Sequence, residues 1–113
     1  MTEKSFLNNV RGLNGGNICE LMPVRGRKSF YGKGKLIEKD GYSACLSYNT
    51  IVCMKTKSGK FKRLWDGYSS TTMRHIDSFC SHVGFPSIGK AVWEKMTVGK
   101  PYSREKIREL NRC

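Results

Sequence analysis

His75, Cys80 and His82 fall in one short stretch, HIDSFCSH, and are the first residues whose types could do chemistry. A helical zinc site needs ligands three or four positions apart, so that both reach one ion. His75 and His82 are seven apart, which on a helix is two turns and about 10 Å. Cys80 and His82 are two apart and point to different faces. This spacing implies no shared metal. A cysteine nucleophile needs a neighbouring base and a lowered thiol pKa. Cys80 instead lies on the apolar stripe of its helix, where burial raises the pKa. Cys45 and Cys53 occupy apolar positions of alternating runs, and Cys19 has no evident base. The Gly-x-Gly of YGKGKL lacks a third glycine and opens no helix, so it is no phosphate loop. The nine acidic residues are scattered, and Asp66, before Gly67, reads as a turn residue. The expectation is a non-catalytic protein without a cofactor.

What remains is charge. Twenty-one Lys and Arg against nine acids leave +12 on 113 residues. The excess is concentrated: residues 25–63 hold eleven Lys/Arg and two acids, leaving +9. A one-signed field on part of a small domain attracts polyanions and speeds association. Lys33 and Lys35 share a strand face, and Lys55, Lys57, Lys60, Lys62 and Arg63 crowd a hairpin. Such residues could neutralise phosphates while Tyr31 or Tyr48 stacks on a base. The competing account is a solvated basic face, with the tyrosines packed at the rim of the core.

The elements that must position these residues are legible in part. In 64–84, LWDGYSSTTMRHIDSFCSHVG, hydroxyl residues precede apolar positions at Met73, Ile76, Phe79, Cys80 and Val83. That spacing, closed by Gly84 and Pro86, predicts a helix over about 71–83. Its polar side would carry Arg74, His75, Ser78 and His82. From 28 to 65 the period changes to two. Asp40-Gly41 and Ser58-Gly59 mark hairpins, and Asn49 marks a bend. The expected fold is therefore α+β: an antiparallel meander of three or four strands over about 29–65, packed against one main helix. Further helices are expected after Ser87, as N-cap, and after Ser103. The domain division is a poorly patterned N-terminal arm at 1–27, a core at 28–96, and a short C-terminal helix within 97–113. A short helix over Glu3–Val10 is compatible with the pattern, in an arm expected to be mobile.

An odd number of cysteines, without a CxxC pair or a signal peptide, suggests free thiols in a reducing, cytoplasmic compartment. No run of about 18 apolar residues could span a bilayer.

SFYGKG at 29–34, SYNT at 47–50, LW at 64–65, YS at 68–69, TT at 71–72 and RHI at 74–76, with Phe79, resemble a small domain family of unknown function. The family is frequent in bacterial mobile elements and phages, and the resemblance covers about residues 28–95. It implies a shared meander-plus-helix core and an origin in a phage-like gene pool, with no activity to transfer. The combined expectation is binding of nucleic acid or a ribonucleoprotein through Arg25, Arg27, Lys28, Lys33, Lys35, Lys55, Lys57, Lys60, Lys62 and Arg63. Tyr31, Arg74, His75 and His82 are candidate partner-facing residues. The alternative is an inhibitor of a host defence system, such as a CRISPR effector, acting through protein or RNA contacts. Mimicry of DNA is excluded by the sign of the charge.

Overall fold

The computed structural model describes residues 2–12, 17–20, 34–48 and 50–112, as backbone alone at 9, 11, 12 and 17–20. The fold is α+β. Strands β1 (Asn17–Glu20), β2 (Gly34–Lys39), β3 (Tyr42–Ser47), β4 (Thr50–Lys55), β5 (Phe61–Arg63) and β6 (Pro101–Tyr102) form one antiparallel sheet in chain order. The expected meander is thus extended by an edge strand on each side. At Asp40-Gly41 both residues have positive φ (51° and 85°), the conformation of a tight hairpin turn. Gly59, at 88°, gives the β4–β5 hairpin its left-handed residue. A register shift between Cys45 and Leu46 bends β3 against β4.

Helix α1 (Glu3–Gly12) comes first in the chain, and α2 (Ser70–Val83) is the main helix. The Oγ of Ser69 accepts from the Thr72 N–H at 3.0 Å, one residue before the run of hydroxyls inside α2. Gly84, at φ 85°, closes the helix and donates its N–H to the Cys80 carbonyl. Helices α3 (Lys90–Lys95) and α4 (Arg104–Arg112) follow. Ser87 does not cap α3, which begins after Gly89; its hydroxyl donates to Asp77 at 2.6 Å and ties the loop to α2. Ser103 does cap α4, accepting from the Lys106 N–H.

Alternation along the strands divides the core in two. On one face Leu36, Cys45, Cys53 and Phe61 meet Met73, Ile76, Phe79 and Cys80 of α2. Trp93, Met96, Tyr102 and Ile107 complete this layer. Full burial of Phe61 and Phe79 contributes about 1.5–3 kcal/mol each. On the other face Ile37, Ala44, Leu46 and Met54 are covered by Phe6 and Val10 of α1. Phe6 and Val10 lie one helical turn apart and both bury, so α1 docks on the sheet. Glu3 adds an ion pair to Lys62 at 2.8 Å, and Thr2 Oγ1 accepts from the Ser5 N–H. The described strands therefore have helices on both faces.

Candidate nucleic-acid interface

Because the meander is antiparallel, its turns gather at two ends. At one lie Asp40-Gly41 and the β4–β5 hairpin, close enough for Lys55 Nζ to donate to the Gly41 carbonyl at 3.5 Å. At the other lie Tyr48, the loop from Leu64 to Ser69, and Glu20 and Gly34. Six-residue strands rise about 3.3 Å per residue, so roughly 20 Å separates the ends.

Among the described residues, the candidate basic side chains are divided between the two ends of the sheet and its core. Lys57 and Lys60 are exposed at the Gly41 end, beside half-buried Lys55. A shallow groove of about 430 Å³ runs there between Lys57, Lys60, Tyr42 and Glu3. Lys35 is half-buried on β2, near the Tyr48 end. Arg25, Arg27, Lys28, Tyr31 and Lys33 lie outside the described residues. Among the described residues, no ion pair to an acid engages Lys35, Lys55, Lys57 or Lys60, whereas Lys62 is held by both carboxylate oxygens of Glu3.

Arg63 is a correction. It is buried, and its guanidinium donates to the carbonyls of Trp65 (2.8 Å), Trp93 (2.8 Å), Met96 (3.1 Å) and Gly67 (3.4 Å). It also lies over the Trp93 ring, 4.6 Å from the centroid. A fork of five donors suits this task, in which four of them are engaged by backbone carbonyls and the group is buried away from any phosphate. The indole N–H of Trp93 donates to the same Gly67 carbonyl, and the Trp65 ring occupies the space where a Cβ on Gly67 would stand. Arg63 thus pins the loop that delivers the chain to α2.

His75 is a second correction, because it is buried instead of facing a partner. Its Nδ1 lies 2.7 Å from Ser47 Oγ, which is also 2.9 Å from Thr72 Oγ1. Burial lowers the His75 pKa below its ordinary value by desolvating the charged form. A serine beside a histidine invites comparison with a nucleophile and its base, but Ser47 is itself 2% exposed. The arrangement is suited to fastening α2 to the end of β3. Arg74 is exposed on the same turn of α2, and exposed His82 lies 3.8 Å from Glu38 at the opposite end.

Next to Ser47 stands Tyr48, with φ 51° and half its surface exposed. Its ring is 5.7 Å from that of His75, tilted by 46°. A left-handed backbone costs a bulky L-residue about 1–2 kcal/mol. Segments distant in sequence therefore converge here: Gly34 pairs with Ser47, and Ser47 bonds to Thr72 and His75. The clue available in the sequence was the shared polarity of SYNT and TT-x-RHI; their mutual approach, 25 and 28 residues apart, was not visible in it.

Three of the cysteines, Cys45, Cys53 and Cys80, are core residues. Cys45 and Cys53 are cross-strand neighbours, and Cys45, Cys53 and Cys80 are buried and unbridged. Burial raises the Cys53 and Cys80 thiols, with neighbouring Cys45 adding to the effect. Among the described residues, no three His, Cys, Asp or Glu side chains could hold a metal ion, and no helix is long and apolar enough to cross a membrane.

A small α+β domain, double-covered and with an aromatic turn braced from beneath, is the class that fold and site define. The chain belongs to DUF8033, a family of unknown function, whose model matches residues 19–95. The match includes Ser47, Tyr48, Thr72 and His75 and leaves α1 and α4 outside. No curated protein and no solved structure matches the chain.

Proposed function

We propose that this protein binds nucleic acid, free or within a ribonucleoprotein, and catalyses no reaction. In this reading it comes from a phage or mobile-element gene pool. The observation that carries the reading is the +9 excess within residues 25–63. Lys35, Lys55, Lys57 and Lys60 supply charge that no acidic side chain among the described residues neutralises, while Arg25, Arg27, Lys28 and Lys33 add four cations to the segment. Lys and Arg that meet phosphates release condensed counterions, so binding must weaken steeply with salt. Helices on both faces of the sheet favour contact through the turns and ends over contact through an open sheet face.

The test is a salt titration of binding to single strands and duplexes of DNA and RNA. The reading expects measurable affinity at low salt and a linear, steep fall of log K with log[salt]. Undetectable binding at low salt, or a flat dependence, refutes it. Recovery of a host protein that stays bound after nuclease treatment would instead support the inhibitor of host defence.

A further inference from the structure

We propose that the groove beside the β4–β5 hairpin is a site for a nucleic-acid phosphate, and that the Glu3 carboxylate of α1 occupies it in the free protein. This site rests on the nucleic-acid reading above and deepens it, by naming where a phosphate sits and which residue competes for that place.

The sheet builds the groove. The register pairs Met54 with Lys62, and paired residues share a face. Met54 packs in the layer that α1 covers, so Lys62 extends on the α1 side of β5. Lys57 and Lys60 are exposed at the hairpin, and the three lysines line one groove of about 430 Å³. Hydrogen bonds within the turn hold its shape. The Thr56 N–H donates to the Lys60 carbonyl at 2.7 Å, and the Gly59 N–H donates to the Thr56 carbonyl at 2.9 Å. The Lys60 N–H donates in turn to Thr56 Oγ1 at 3.0 Å. The lysine stems therefore leave from a preformed frame, which lowers the ordering cost of binding.

An anion already stands in the groove. Three ammonium groups and one carboxylate line it, among the described residues. Lys62 Nζ donates to both oxygens of Glu3, at 2.8 and 2.9 Å. The side chains of Lys62 and Glu3 are 19% and 34% exposed, so the pair lies partly sheltered from water. Two oxygens of one anion on one ammonium is also how the non-bridging oxygens of a phosphodiester are held. A phosphate that reaches Lys62 meets the like charge of Glu3 in the same place, and the two anions exclude each other.

The acid sits where it can leave without undocking the helix. Phe6 is buried and stacks on Tyr42, a groove-lining residue, with ring centroids 5.3 Å apart. Phe6 and Val10 anchor α1, whereas Glu3 lies in its first turn behind exposed Thr2. A Glu3 side chain that swings off Lys62 breaks neither apolar contact. The family match spans Lys57, Lys60 and Lys62 and leaves Glu3 outside. The competitor is thus carried by a helix that precedes the matched domain.

The experiment titrates the full chain with fluorescently labelled oligothymidylate and with a duplex of matched length over a range of salt. It compares the wild type with Glu3→Gln, Glu3→Gln/Lys62→Ala and Glu94→Gln, each checked for folding by circular dichroism. Glu94→Gln is the charge-matched control, because it removes an exposed acid paired to Lys90 at 4.0 Å, away from the groove. Glu3→Gln is expected to raise affinity about three- to fivefold at low salt and to steepen the salt slope by roughly 0.7–0.9, the increment of one further phosphate contact. Glu94→Gln should change affinity by less than about twofold with no change of slope. The double variant should return affinity and slope to the wild-type values. A helix loosened by the loss of Glu3 would gain affinity with or without Lys62, so the double variant separates competition from damage. If Glu3→Gln behaves as Glu94→Gln does, or the double variant keeps the gain, the site is overturned and the nucleic-acid reading survives. If neither the wild type nor Glu3→Gln binds either probe, both fail together.

Discussion

The two ends of the sheet solve the same problem, reversing an antiparallel chain, with different residues. At the Gly41 end the left-handed positions belong to Asp40, Gly41 and Gly59, residue types that adopt them readily. Lys57 and Lys60 are exposed there, and the groove between them is shallow. At the Tyr48 end the left-handed position is given to a tyrosine. It is supported by a buried Ser–Thr–His contact network and flanked by a loop whose Trp65 and Gly67 carbonyls accept from Arg63, which also donates to Trp93 and Met96. One end is economical and offers charge. The other gives its left-handed position to a tyrosine and fastens α2 to the end of β3 through Ser47, Thr72 and His75.

The largest test of that contrast is Arg63→Met. Removing the guanidinium leaves buried carbonyls of Trp65, Trp93 and Met96 without their donor and should lower unfolding stability by about 3 kcal/mol or more. Urea denaturation measures this, and Arg63→Lys should not rescue it, since one ammonium cannot reproduce the fork. Near-normal stability with impaired polyanion binding would instead return Arg63 to the interface.

Next is His75→Ala, expected to cost about 1–3 kcal/mol by breaking the contact with Ser47. His75 also gives the wild type a pH signature. Its folded pKa lies below the unfolded value of about 6.5, so the unfolded chain takes up the proton first. The His75 contribution is then complete above about pH 6.5 and declines as pH falls below it, toward and through the folded pKa. Melting temperatures measured from pH 8 to pH 5 should show this acid-side decline, and His75→Ala should flatten it.

Smaller effects of opposite sign are expected at the two turns. Gly41→Ala forces a Cβ at φ 85° and to 3.1 Å from the Cγ of Lys57, and should destabilise by about 1 kcal/mol. Tyr48→Gly relieves a strained backbone and should be neutral or stabilising by up to about 1 kcal/mol, after allowing for the entropy of glycine. Thermal melts of this pair compare the ends directly. Smallest in stability is Lys57→Ala with Lys60→Ala, expected within about 0.5 kcal/mol of the wild type. Its effect should appear in polyanion binding, as a salt slope reduced by roughly one per lost phosphate contact.

The contrast also explains what the sequence disclosed. Helix α2 was legible because its caps and apolar stripe are local, and the two Gly-containing hairpins were legible for the same reason. The docking of α1 was harder to see, because its apolar residues are few and their partners Ile37 and Met54 lie far along the chain. β6 has two residues and begins at Pro101, too little for periodicity to register. Arg63 sits within a lysine-rich run and resembles its neighbours by charge. The available hint was that alternation puts it on the face of Phe61 and Trp65, opposite Lys62. His75 likewise reads as part of a polar side of α2, because periodicity reports which residues are polar and cannot reveal that Ser47 will meet one of them inside the core.

The most direct measurement is an amide chemical-shift map of the isotopically labelled protein titrated with oligothymidylate of four nucleotides at low salt. The account predicts saturable shifts concentrated at Gly41, Lys55, Lys57, Gly59 and Lys60, with the buried Ser47, Thr72 and His75 nearly unmoved. Shifts centred on the buried residues of α2, or no saturable shifts anywhere, would contradict it.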